Sequence, residues 1–219
     1  DQFDEHEIIF TGDIAHQMSR VLRFRTGDQV IVLDNSGFEY LVTLYLTDPT
    51  LIKGVLIDKI RSITEPRSKI TLYQSVLKTN KFELVLQKGT ELGVSVFSPT
   101  YFSRSNAAYK PTQQTNKRTE RWQKIIREAA EQSGRGRLPL LNKPTEFKHV
   151  TKNLNGLSII PFEHESDTTL REILINWSYD RNSNNINVFI GPEGCASQAI
   201  SVSGSVVIGQ IAGYGIQYG

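Results

Sequence analysis

The sequence predicts a two-part α/β protein: a small N-terminal β-barrel, then a larger domain whose strands and helices alternate around a mainly parallel sheet. Three observations predict it. Short β-type runs (HEIIF, DQVIVLD, FEYLVTLYL, LIKGVLIDKI) fill the chain from His6 to about Ile63, separated by polar or glycine turns. After the proline-bearing TEPRS, residues 64 to 68, the texture changes to strand, helix, strand, helix, the pattern of a sheet wrapped by helices. Finally, 219 residues suffice for two cores, and 38% hydrophobic with 22% charged residues is the balance of an ordered chain. The expected domains are residues 1–66 and 67–219.

Each element has its own signal. In the first domain Asp13 is placed as the cap of a short helix through Arg23, with Ile14, Met18, Val21 and Leu22 at helical spacing. KITLYQSVL opens the second domain as a buried strand. A helix is expected over 81–92, because Asn80 can cap it with Glu83 three residues on, and Gly93 stands where a C-terminal glycine belongs. VSVFSPT reads as the next strand. Trp122, Ile125, Ile126, Ala129 and Ala130 share one face of a second long helix that ends near Gly134. LSIIPF, NVFIGPEG and SVVIG supply three more strands, and a further helix is placed near Thr168 to Trp177. Leu141 to Gly156 carries no clear pattern.

Composition narrows the chemistry. With 25 basic and 23 acidic residues the formal charge is +2, so a nucleic-acid footprint must come from clustering rather than from total charge. One cluster exists: Lys117, Arg118, Arg121, Lys124, Arg127, Arg135 and Arg137 face only Glu120, Glu128 and Glu131. Such cations can neutralise phosphates, or can be an ordinary solvated helix face; the count serves both readings. Arg104, Lys110, Arg20, Arg23 and Arg25 add possible contacts. Cys195 is the sole cysteine and the four histidines are scattered, which points away from a disulfide or a metal site and toward a reducing cytoplasm. No apolar run reaches the roughly 18 residues of a membrane span. P-loop, GxGxxG and GxSxG motifs are absent, which demotes nucleotide triphosphates, dinucleotides and serine hydrolysis.

IGPEG, residues 190–194, follows the apolar NVF and so falls at the carboxyl edge of the sheet, where open α/β folds place ligands. Glycines there let backbone amides approach a ligand, Pro192 stiffens the loop and Glu193 adds a carboxylate. A simple turn would read the same way.

Two blocks carry a resemblance. The first holds Lys78, Lys81, Glu83, Gln87, Lys88, Glu91-Leu92-Gly93, Pro99 and Arg104-Ser105. The second holds Arg121-Trp122, Ile125, Glu128-Ala129, Glu131-Gln132-Ser133, Arg135 and Pro139. With His16, Val21-Leu22-Arg23 and Gly27-Asp28 in the first domain and Gly191 to Gly194 in the second, the chain resembles the 16S ribosomal RNA uridine-N3 methyltransferases of the SPOUT class. The resemblance implies a PUA-like RNA-binding barrel and a C-terminal α/β domain tied in a trefoil knot, a rare exception to unthreaded chains. It also implies S-adenosylmethionine as cofactor, held by Pro161, Phe162, Gly191, Pro192, Glu193, Gly194, Ile208, Gly209 and Ile211. Arg104 would stabilise charge on the target base and Glu193 would position cofactor or base. Arg20, Arg23, Arg25, Lys88, Arg121, Arg135 and Arg137 would grip RNA. The partners would be 16S rRNA or the 30S subunit and a second copy of the chain, with no metal and no membrane.

The last stretch departs from that pattern. Ile208-Gly209 fits, but Gln210 to Ile216 lacks the family's arginines and glutamate, Cys195-Ala196 replaces a glycine and a bulky residue, and no charged residue follows Glu193. A frame change over about 25 residues would explain the joint loss of charge and pattern. Taken as it stands, the tail raises a second reading, a degenerate member that binds RNA without methylating it. A third is an RNA-binding or chaperone-like protein without cofactor.

Overall fold

Period-two alternation in the first third of the chain builds a four-stranded antiparallel sheet. The computed structural model of the protein describes residues 7–102, 115–151, 154–161, 169–179, 183–191 and 206–209. Strands β1 (Glu7–Thr11), β2 (Gln29–Leu33), β3 (Phe38–Thr47) and β4 (Leu51–Arg61) pair in the order β1-β4-β3-β2. Tyr40, Val42 and Leu44 of β3 alternate into a core with Ile8, Phe10, Met18 and Ile52. Helix α1 (Gly12–His16) leads directly into a π-helical turn, Gln17–Val21.

That turn corrects the expected helix. Thr11, not Asp13, is the N-cap, and Asp13 lies in the first turn. Of the four apolar residues placed on one face, Met18 is buried while Ile14, Val21 and Leu22 are exposed. For Val21 and Leu22 the cause is the wider winding: Leu22 N–H donates to Gln17 O five residues back, so residues after Met18 are rotated off the α-helical stripe.

The chain divides into two compact units, Asp1–Glu65 with Gly134–Arg137, and Pro66–Ser133 with Leu138–Gly219. In the second unit every described strand pairing is parallel: β5 (Lys69–Ser75), β6 (Val96–Tyr101), β7 (Leu140–Leu141), β8 (Thr145–Glu146), β9 (Leu157–Pro161), β10 (Asn185–Ile190) and β11 (Val206–Gly209). Their order is β11-β9-β10-β5-β6-β7, with β8 also on β6. Helices α2 (Thr79–Glu91) and α3 (Thr115–Gln132) pack through Phe82, Leu86, Trp122 and Ile126 against Phe97. Full burial of each such side chain is worth roughly 1.5–3 kcal/mol. The short α4 (Phe147–Val150) and β7–β8 occupy the stretch that lacked pattern, being too brief to show a period. Helix α5 (Leu170–Tyr179) packs Ile173, Leu174 and Trp177 with Leu157, Ile159 and Ile186.

Two helix ends differ in how well the sequence announced them. Gly93 has φ +95°, Val94 N–H reaches Gly89 O at 2.9 Å and Gly93 N–H reaches Thr90 O at 3.1 Å, the paired bonds of a Schellman ending. The expected Asn80–Glu83 box is not formed. Helix α2 starts two residues earlier, after the extended Lys78, with no side-chain cap. Glu83 turns instead to Arg121 of α3, with Oε2 accepting from Nη2 at 2.8 Å, because a guanidinium is a stronger partner than a neutral amide. Where no cation among the described residues is paired with the glutamate, the box does form: Thr169 N–H and Oγ1 both donate to Glu172, and Glu172 N–H returns to Thr169 Oγ1 at 3.3 Å.

Candidate functional site

Three strand ends define the site. Strand β9 lies between β11 and β10, so the connection leaving β9 leads to one neighbour and the connection leaving β10 leads back past β9 to the other. The parallel register sets Ile160 beside Ile208 and Pro161 beside Gly209, and aligns Ile159 with Val188 two residues before Ile190. Pro161, Gly191 and Gly209 therefore come to one carboxyl edge, the edge at which open α/β folds place ligands. Pro161 is half-buried and Gly191 exposed. Ile208 joins this edge through β11. Phe162, Pro192, Glu193, Gly194, Ile211 and Arg104 lie outside the described residues.

The strands are held rigidly below that edge. Asn187 of β10 is buried and donates through Nδ2 to Asn155 O at 3.0 Å and Ser158 Oγ at 3.3 Å, which locks β10 to β9. Beside it, Tyr73 stacks on Phe189 at 4.5 Å, and Phe147 meets Phe189 edge-on at 5.7 Å and Phe102 at 4.8 Å. Burial pushes the Tyr73 hydroxyl up from its ordinary pKa, so this wall stays neutral. No sequence motif marks these aromatics as a group; the one local signal is Phe189, a large ring one residue before the end of β10. Such an arrangement, backbone donors and acceptors over a fixed apolar base, suits a ring-bearing ligand. Among the described residues no group of three or more His, Cys, Asp or Glu side chains is placed to hold a metal ion.

The cations named from sequence have different surroundings. Arg20, Arg23 and Arg25 are exposed beside the π turn, with Arg23 in the left-handed region at φ +57° and Arg25 N–H bound to Asp28 Oδ2 at 2.7 Å. Lys88 pairs with Glu91 at 2.8 Å, and Arg121 Nε lies 2.6 Å from Glu83 Oε1. Glu83, Glu91 and Arg121 border a groove of about 730 Å³ between α2 and α3, which Gln87, Ile125 and Gln132 also line. Arg135 is buried, its side chain only 3% exposed, and makes a two-pronged contact with Glu65 at 3.1 and 2.8 Å. Arg137 is exposed; its Nη2 donates to Ser36 O at 2.9 Å and its backbone N–H to Glu65 Oε1 at 3.0 Å. In the sequence Glu65 carries no signal beyond its place in the proline-bearing segment 64 to 68.

Comparison with known proteins bears on both regions. A family model described as an RNA methyltransferase domain matches residues 64–199, and one described as an RNA methyltransferase PUA domain matches residues 10–52. The chain is 30% identical over 193 residues to ribosomal RNA small subunit methyltransferase E of Bacillus subtilis, covering 86% of this chain and 75% of the relative. It is also 30% identical over 177 residues to the protein of that name in Mesomycoplasma hyopneumoniae, covering 80% and 71%. A solved structure of ribosomal RNA small subunit methyltransferase E from Neisseria gonorrhoeae, bound to S-adenosyl methionine, superposes with a TM-score of 0.70 at 20% identity, over 86% of this chain and 76% of that one. At that identity the likeness is one of fold.

Proposed function

We propose a function from one premise: this chain belongs to the RNA methyltransferase family that includes ribosomal RNA small subunit methyltransferase E. It methylates N3 of a uridine in 16S ribosomal RNA, with S-adenosylmethionine as the methyl donor. The observation that carries the reading is the meeting of Pro161, Gly191 and Gly209 at one carboxyl edge, inside and beside the segment that matches the family model.

The residues present fit the donor. Glycines at two of the three strand ends leave the backbone open to an adenine ring and a ribose, Pro161 supplies apolar contact, and Ile208 belongs to the same holding set. Phe162, Pro192, Glu193, Gly194 and Ile211 complete the holding set. When bound, the cofactor supplies an electrophilic methyl group on a sulfonium. The chain's own work is to hold the base and the methyl carbon in line and to stabilise the anion left when uridine N3 gives up its proton. Arg104 is assigned that stabilisation and Glu193 the positioning. Arg20, Arg23, Arg25 and Arg137 contact phosphate directly; Lys88 and Arg121 exchange their carboxylates for it; Arg135 acts by holding the loop that carries Arg137. The target base is drawn from its stack to react.

In this reading residues 1–66 form the PUA-like barrel, residues 67–219 the knotted methyltransferase domain, and two copies complete each other's sites in the cytoplasm. No described helix is long and apolar enough to cross a membrane. The uncharged run after Glu193 supports one second reading, an RNA-binding member without transfer. Labelled methyl transfer to 30S particles and to naked 16S rRNA, both lacking the modification, decides between them. Incorporation at a single uridine N3 is expected; calorimetric binding of the cofactor without incorporation would establish the second reading, and binding of neither cofactor nor RNA would end both.

A further inference from the structure

We propose that the Phe38 end of the β3–β4 hairpin is a binding surface for an unpaired RNA strand, in which Lys59, Arg61 and Arg137 take phosphates and Phe38 takes a base. The proposal deepens the RNA-methyltransferase reading, on which it rests, by assigning a part of the RNA contact that no sequence motif marked.

Register makes the surface. Phe38 opposes Arg61 and Tyr40 opposes Lys59, whereas Glu39 opposes Ile60 and Leu41 opposes Asp58. Paired residues point to the same side of an antiparallel ladder, so alternation puts two rings and two cations on one face and both carboxylates on the other. The contacts agree: Lys59 Nζ lies 4.7 Å from the Phe38 ring centre and 5.1 Å from that of Tyr40. Two nearby carboxylates are already engaged: Asp34 by the Tyr40 hydroxyl at 2.8 Å and by Ser36, and Glu65 by Arg135 and the Arg137 backbone. Lys59 and Arg61 are exposed and Phe38 is half-buried.

The third cation is brought from far along the chain. Gly37 N–H donates to Gly136 O at 3.2 Å, Thr64 Oγ1 to Gly134 O at 2.8 Å, and Glu65 holds both Arg135 and the Arg137 backbone. Gly37 sits at φ +89°, and a Cβ there would stand 2.8 Å from Arg137 Nε. Only glycine both adopts that backbone and leaves room for the guanidinium. The seat thus fixes Arg137 one residue from Phe38. Cations around a part-exposed ring suit unpaired RNA, whose bases stack on aromatic faces while its phosphates seek positive charge. Lys59 itself is exposed and the Phe38 ring only half-buried, so the cation–π contact is a modest one and an arriving base can displace Lys59 toward a phosphate.

The test measures binding of unmodified 16S rRNA across a salt series for the full chain and for Lys59→Ala, Arg61→Ala, Arg137→Ala and Phe38→Ala, with Ile60→Ala as the opposite-face control. Each lost cation should lower the slope of log K against log salt by about 0.7, the single-strand value. Phe38→Ala should weaken binding about fivefold or more with an unchanged slope. Cofactor affinity by calorimetry and the unfolding midpoint check that the fold is kept; because Phe38 also packs on the core, the three cation variants stand independently of it. If the unaltered chain binds rRNA and the cation variants keep its affinity and slope, the surface is wrong and the function stands. If the unaltered chain does not bind rRNA, both fall together.

Discussion

Helix α3 and the Phe38 end of the β3–β4 hairpin are both rich in cations, and they teach opposite lessons about reading charge. Along α3 the count favours basic residues, yet Arg121 is held by Glu83 and Lys124 stands 3.7 Å from Glu128. At the hairpin the sequence LIDKIR looks unremarkable, but alternation turns Asp58 away from Lys59 and Arg61. A linear count cannot see which carboxylate shares a face with which cation. On a helix, residues three or four apart become neighbours; on a strand, adjacent residues part company.

The strongest way to break the comparison is Glu65→Ala. Arg135 would remain buried without a counter-charge, and removing one partner of a buried pair costs about 3–5 kcal/mol. Urea unfolding should show that loss, and RNA binding should fall with it as Arg137 leaves its seat; Glu65→Gln, which keeps a hydrogen-bond acceptor, should retain part of both. Unchanged stability would mean that the loop 134–137 does not depend on the ion pair.

Trp122→Ala should come close behind. Phe82 and Trp122 meet at 4.4 Å in the α2–α3 core, and truncating so large a buried side chain costs about 3–5 kcal/mol. Glu83→Gln, which weakens the ion pair on the same two helices, should cost much less by the same urea measurement, because the pair is largely solvated on the arginine side. Equal losses would show that charge, not the apolar stripe, holds α2 to α3.

These cases mark how far the sequence was legible. The α3 stripe, the Schellman glycine and the strand runs were readable because each depends on residues close in sequence. The apolar face assigned to α1 was not, since nothing in Asp13 to Arg23 announces π winding. At the candidate site, the apolar run before Gly191 made the end of β10 readable, but the position of β11 beyond β9 is a matter of topology, and Glu65 acts on residues about 70 positions away. The resemblance implies Arg135 as an RNA contact; in the structure its side chain is buried against Glu65, a partner that no local pattern announces.

A smaller effect sharpens the point about arginines. Arg137→Ala should lower the salt slope of RNA binding more than Arg121→Ala, because Arg121 must give up Glu83 before it can meet a phosphate while Arg137 leaves only a neutral carbonyl. Salt titrations of the two variants, side by side, check the order. A larger effect from Arg121 would restore the helix as the main RNA face.

The smallest effect concerns where a glutamate goes when no arginine competes for it. Asn80→Ala should leave stability nearly unchanged, since α2 has no side-chain cap, whereas Thr169→Ala should lower it by opening the box with Glu172. The hydrogen bonds from the Thr169 backbone and then its hydroxyl hold the Glu172 carboxyl below its ordinary value of 4.5. A lowered carboxyl stabilises the fold fully above that ordinary value and ceases to do so as pH falls through the lowered one. The difference in unfolding midpoint between the unaltered chain and Thr169→Ala should therefore be widest at neutral pH and shrink only below about pH 4.5. A gap that is the same at every pH would mean that the threonine hydroxyl caps α5 alone and the carboxylate takes no part.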